Sequence, residues 1–177
     1  IIDFGIALNL DSEEEERKKA SLGTPNYASP ELLAPDRSSD SLDTRADVYG
    51  LGALLFELLS GRTPTALDPT SESSPFEQLL ASDRIAPSEV FKSRSLEVEK
   101  RSVSSARSTT EPTLIKTLQG DLDAICMKAI ALDREDRFGS ALELSQELER
   151  FAANEPVQSR PRTLPYLARK FFRRNRL

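Results

Sequence analysis

The feature that most restricts how this chain can fold is the run Ala46–Ser60, with the sequence ADVYGLGALLFELLS. Read as a helix, it is apolar on nearly every side. Such a helix belongs inside a domain, with other elements covering it. Thr44 is placed to cap it, with Asp47 three residues on as in a capping box, and Gly61 and Pro64 stop it.

The rest of the chain reads as shorter helices around that axis. Ser74-Pro75-Phe76-Glu77 combines a serine cap, a proline at the first helical position and a glutamate at the third, which predicts a helix to about Ser82. Asp121 is placed to cap a helix with Leu122, Ile125, Cys126, Ala129 and Ile130 on one face. Ser140 with Glu143 opens another through about Ala153, turning Leu144, Leu148 and Phe151 or Ala152 inward. Pro156, Pro161 and Pro165 punctuate an extended link, and a last short helix is expected from about Pro165 to Arg176. Only Ile1–Ala7 reads as strand, ending at Gly5. Residues 92–119 are rich in Ser, Thr, Lys and Arg without apolar periodicity, and are read as a flexible insert.

Composition removes whole classes of chemistry. There is no histidine, which excludes a histidine triad, a histidine proton shuttle and the usual zinc sites. A single cysteine, Cys126, excludes an internal disulfide. No apolar run is long enough to span a bilayer, and nothing speaks for an oxidising compartment, so the chain reads as cytosolic-facing. A chain that opens on Ile1, with Met127 its only methionine, is read as processed or as a fragment of a longer reading frame.

The chemistry-bearing residues form an ordered set. Asp3-Phe4-Gly5 places a carboxylate on a tight turn after a buried strand, a hard oxygen ligand suited to magnesium. Next come Gly23-Thr24-Pro25-Asn26-Tyr27-Ala28-Ser29-Pro30-Glu31, then Asp43-Thr44-Arg45-Ala46-Asp47 leading into the apolar helix, and finally Asp133-Arg134-Glu135-Asp136-Arg137. In this order the chain resembles the eukaryotic-type serine/threonine protein kinases. Asp3-Phe4-Gly5 matches their magnesium motif, and Ser29-Pro30-Glu31 matches the A-P-E motif that closes the activation segment.

The resemblance implies a mainly α fold: the helical C-terminal lobe of a parent α+β kinase, over residues 1–154, with the activation segment at 3–31. It implies that Asp3 holds Mg²⁺ on the ATP phosphates, with Phe4 and Gly5 completing the cofactor motif. Thr24 lines the floor beneath a protein substrate's Ser or Thr hydroxyl. Glu31 and Arg137 form a buried ion pair pinning the activation segment, and Asp47 holds the catalytic loop from below. Ser12, Ser21 and Thr24 are candidate phosphorylation sites, Ser21 first, with Arg17, Lys18 and Lys19 nearby to pair with an added phosphate.

The sequence departs from the family's pattern too. It contains no Gly-rich loop, no strand lysine and no H-R-D loop with its catalytic base. Phosphoryl transfer needs several convergent groups, so the chain by itself is expected to be inactive and to bind Mg–ATP weakly. The rival expectation is a non-catalytic, pseudokinase-like interaction module or membrane-surface scaffold.

The net charge of −5 hides an asymmetry: residues 160–177 hold seven basic and no acidic side chains. Leu164, Leu167, Ala168 and Phe171 share a helical face, with Phe172 beside them and Arg169, Lys170, Arg173, Arg174 and Arg176 around it. This pattern suits an anionic membrane surface. The run from Gly120 through Phe151, with the tail of residues 155–177, resembles the bacterial transmembrane receptor-type branch of the family. It implies a juxtamembrane segment on the cytoplasmic side of a span beyond residue 177. An acidic body argues against nucleic acid.

Overall fold

The computed structural model describes residues 25–35, 43–93, 104–106 and 108–175. Within them the secondary structure is helical throughout. The expected strand at Ile1–Ala7 lies outside the described residues.

The axis is α2 (Thr44–Ser60), reached from the short α1 (Pro30–Leu33). Asp43, not Thr44, is its N-cap. Asp43 has the extended backbone a cap requires, and its carboxylate accepts a hydrogen bond from Arg45 N at 2.7 Å. Gly61 ends α2 in the left-handed conformation at φ 76°, and its N–H bonds back to Glu57 O.

Burial along α2 corrects the expectation of a helix covered on all sides. Val48, Tyr49, Gly52, Ala53 and Phe56 are buried, whereas Leu51, Leu54 and Leu58 are 44%, 45% and 61% exposed. The buried set recurs at helical spacing on one side, and there α4 (Pro87–Lys92), α6 (Asp123–Ala129) and α7 (Ala141–Ala152) pack. The leucine stripe is left partly open to solvent.

Next, α3 (Pro75–Ala81) carries the full capping box. Ser74 Oγ accepts from Glu77 N, and Glu77 accepts from Ser74 N at 2.7 Å. In α7, Ser140 accepts from Glu143 N, while Glu143 reaches one residue further back to accept from Gly139 N at 2.9 Å.

Part of the expected flexible insert is ordered. Helix α5 (Glu111–Thr117) lies within residues 92–119 and buries Leu114. Leu118 follows, 1% exposed, and both pack with Phe91 and Leu122. The apolar signal is Leu114, Ile115 and Leu118 among threonines and one lysine, which is sparse beside the polar background. Residues 94–103 and 107 lie outside the described set.

Asp121 is not a helix cap. It sits in a π-helical turn (Leu118–Leu122) whose backbone breaks at Gln119 and at Gly120, φ 108°. A side chain at position 120 would be strained by that φ and would meet Arg160 Nη1 at 2.7 Å. Asp121 is instead 7% exposed and ion-paired with Arg160 at 2.8 Å and Lys170 at 2.6 Å.

Those partners belong to a strap that runs back over the helices. Glu147, buried on α7, accepts hydrogen bonds from Gln158 N, Ser159 N and Ser159 Oγ and pairs with Arg150. Burial alone would raise the Glu147 carboxyl, but these donors hold it below its ordinary value. Val157 is fully buried, and its N–H donates to Tyr166 Oη at 2.9 Å. The strap ends in α8 (Leu164–Arg174), which turns Tyr166 and Lys170 toward the other helices.

Close packing of α2 on α6 depends on Gly52. A Cβ there would meet Ala129 Cβ at 2.6 Å and Ile130 Cγ2 at 2.9 Å. Gly52→Ala is expected to destabilise by about 1–3 kcal/mol through overpacking. Urea denaturation checks this, with the midpoint lowered and the slope unchanged.

Candidate functional site

Two short elements bring the central pair together. Ser29 and Pro30 open α1, with proline at a position where its missing N–H costs nothing, and this sets Glu31 in the first turn. On the far side, Asp133 caps a 3-10 turn (Arg134–Asp136) by accepting from Glu135 N at 2.9 Å. The chain leaves that turn extended at Arg137.

Arg137 meets Glu31 as a parallel two-bond fork. Nη1 donates to Oε1 at 2.6 Å and Nη2 to Oε2 at 2.8 Å. The remaining N–H groups are also used. Nε donates to Ala131 O at 2.7 Å, Nη1 to Arg45 O at 3.0 Å and Nη2 to Leu132 O at 3.0 Å. A guanidinium has five N–H donors, so every one has an oxygen partner. The Arg137 side chain is 0% exposed and that of Glu31 13%. The Tyr49 ring lies 5.1 Å from the guanidinium carbon, adding a cation–π contact.

Such a charge is tolerated in the interior only because it is fully paired. Burial by itself would raise the Glu31 carboxyl; the hydrogen bonds and charge of Arg137 outweigh that and hold it below 4.5, its ordinary value. Burial pushes the Tyr49 hydroxyl up.

Sequence reasoning missed a second tether on the same segment. Tyr27, in the 3-10 turn Pro25–Tyr27, donates its hydroxyl to Glu57 Oε2 on α2. That bond raises the Tyr27 hydroxyl above its ordinary value. Neither residue carries a local signal, because 30 positions separate them. Arg45 was missed likewise: it supplies a carbonyl to Arg137 and pairs with Glu135 at 2.8 Å.

The other residues singled out by sequence are placed less closely. Asp47 is exposed in the first turn of α2, and the capping role goes to Asp43. Asp3, Phe4, Gly5, Ser12, Ser21 and Thr24 lie outside the described residues. Among the described residues, no three acidic or cysteine side chains gather as a metal site.

Comparison with known proteins adds the family. The protein kinase domain model matches residues 1–148. This chain belongs to the protein kinase family. It is 32% identical over 160 residues to the serine/threonine-protein kinase PknB of Mycobacterium leprae, covering 90% of this chain and 21% of that protein. It is 34% identical over 161 residues to PknB of Mycobacterium tuberculosis, with the same coverage. A Synechocystis serine/threonine-protein kinase A matches at 39% over 71 residues, 40% of this chain and 13% of that protein. The chain thus spans about a fifth of the length of its PknB relatives. In this kinase chain the family match ends inside α7, so the strap and α8 lie beyond it.

The paired geometry has a measurable consequence. Glu31→Gln leaves a buried guanidinium without its counter-charge and is expected to cost about 3–5 kcal/mol. The folded carboxyl titrates below the unfolded one, so its stabilisation is complete above pH 4.5 and fades as pH falls through the folded value. The stability–pH curve of Glu31→Gln should therefore be flatter than the parent's on the acid side of that point. Parallel curves would contradict the assignment.

Proposed function

We propose that these residues form the helical C-terminal part of a protein serine/threonine kinase that transfers the ATP γ-phosphate to Ser or Thr hydroxyls of a protein substrate. Residues 1–154 make up the kinase portion, with the activation segment at 3–31, and 155–177 a juxtamembrane-like tail. The observation that carries the reading is the Glu31–Arg137 fork, whose guanidinium also bonds Arg45 O at the start of α2.

The segment's residues divide the work. Asp3, with Phe4 and Gly5 beside it, would hold Mg²⁺, and the cation would supply neutralisation of negative charge on the ATP phosphates. Thr24 lines the floor beneath the substrate hydroxyl. Asp47 steadies the loop that carries the catalytic base, a loop these 177 residues do not contain. Ser21, Ser12 and Thr24 offer hydroxyls through which phosphate could order the segment against Arg17, Lys18 and Lys19.

A second reading, a non-catalytic scaffold at a membrane surface, is favoured by one observation: α8 carries arginines beside two exposed phenylalanines. In this reading residues 160–177 rest on an anionic bilayer on the cytoplasmic side, next to a span beyond residue 177. No described helix is long and apolar enough to cross a membrane.

Phosphate transfer from labelled ATP to a generic Ser/Thr protein substrate tests the kinase reading on the native protein that carries this sequence. Asp3→Asn should lower it roughly a hundredfold or more. Undiminished transfer by that variant would sink the reading. The 177 residues alone should transfer nothing and bind Mg–ATP no tighter than about 1 mM by calorimetry. For the membrane reading, removal of residues 160–177 should abolish co-sedimentation with anionic vesicles, and equal binding with and without them would discredit it.

A further inference from the structure

Helix α8 presents two opposite faces. Tyr166 and Lys170 are 6% and 3% exposed and point into the molecule. There Lys170 Nζ meets Asp121 Oδ2 at 2.6 Å and lies 5.7 Å from the Phe151 ring centroid, while Tyr166 Oη accepts from Val157 N. Arg160 adds a second cation to Asp121 and stacks 4.8 Å over Tyr166. The docked face is therefore polar at its tips and fully partnered.

The outward face is the reverse. At about 100° per residue, Leu164, Ala168, Phe171 and Phe172 fall in an arc of about 100° centred opposite Tyr166 and Lys170. Leu164 is 82% exposed, Phe171 55% and Phe172 69%. Arg169 flanks the arc on one side and Arg174 on the other, both exposed; Arg174 makes only a 3.9 Å surface contact with Glu155. No acidic residue lies on α8. Beside the arc, an open groove of about 500 Å³ is lined by Pro156, Leu164, Leu167 and Phe171 and by Arg174.

We propose that α8 binds an anionic lipid bilayer through Leu164, Phe171 and Phe172 with Arg169 and Arg174, while Tyr166 and Lys170 stay docked on Asp121. This rests on the membrane-surface reading of residues 160–177 and goes further by naming the inserting face and by keeping the helix on the protein. A bilayer accepts apolar side chains to a shallow depth and attracts each flanking arginine to its headgroups. Because the docked and inserting faces lie on opposite sides of one helix, neither has to be given up for the other. The helix then sets the orientation of the whole domain at the membrane instead of acting as a loose tether.

Vesicle co-sedimentation of the full chain tests this, using phosphatidylcholine vesicles with and without phosphatidylglycerol. Binding should require phosphatidylglycerol. Phe171→Ser with Phe172→Ser should weaken it roughly tenfold, and Arg169→Gln with Arg174→Gln roughly tenfold or more. All four side chains are exposed, so circular dichroism should be unchanged. Asp121→Asn loosens the docked face without touching the inserting one, and should leave partitioning within about twofold of the parent.

A gain of about fivefold or more with Asp121→Asn would mean that the helix has to leave the protein before it binds. That gain, or a null result for the double-serine variant, overturns the inference while the membrane reading stands. Should Asp121→Asn fail to fold, Glu147→Gln loosens the same strap from the other end and is read identically. No binding of the full chain to anionic vesicles overturns both, and equal binding to neutral vesicles overturns the inference.

Discussion

Five N–H groups of one guanidinium, each held by an oxygen, join stretches of chain that are otherwise far apart. Through Arg137 the first turn of α1, the start of α2 and the loop after α6 become one junction. A buried charge in that position allows little tolerance, since any strand of the junction that drifts leaves a donor without a partner. The rest of the arrangement follows from this. Once α1 is fixed, Tyr27 comes within reach of Glu57, and α2 is held from two directions along its length.

A second junction of the same kind ties down the C-terminal third. Here the roles are reversed, with a buried acid, Asp121, holding two cations from the strap, and Glu147 holding strap backbone N–H groups. Burial would raise the Asp121 carboxyl, and Lys170 and Arg160 together hold it below its ordinary value. The charge asymmetry of the sequence thus has a structural use: the acidic body supplies the counter-charges that keep part of the basic tail in place. What remains of the tail's charge faces outward beside its aromatic side chains.

The helical character and the core faces were largely legible in the sequence. Ser74 with Glu77 and Ser140 with Glu143 marked helix starts because capping is a local interaction, written within four residues. Ile125, Cys126 and Ala129 lie inward as their spacing implies. The order of motifs named Glu31 and Arg137 together, and the structure brings them into contact across 106 positions. Reading failed where the deciding partner was distant. Asp121 has the local look of a cap and is buried against Lys170, 49 positions on, and Arg160. The polar segment around Leu114 has the composition of a linker, yet Leu114, Ile115 and Leu118 pack once Phe91 and Leu122 offer them a surface.

By itself the sequence determined the helical class, the apolar axis at Ala46–Ser60 and the kinase motif order, because periodicity, capping and motif spacing are properties of neighbouring residues. Tertiary structure alone decided which charges are buried, that Leu51, Leu54 and Leu58 stay exposed, and which side of α8 faces the protein. A helix in isolation offers all of its faces equally. Only the placement of Asp121, Phe151 and Val157 against it selects Tyr166 and Lys170 for the inside and leaves the phenylalanines out.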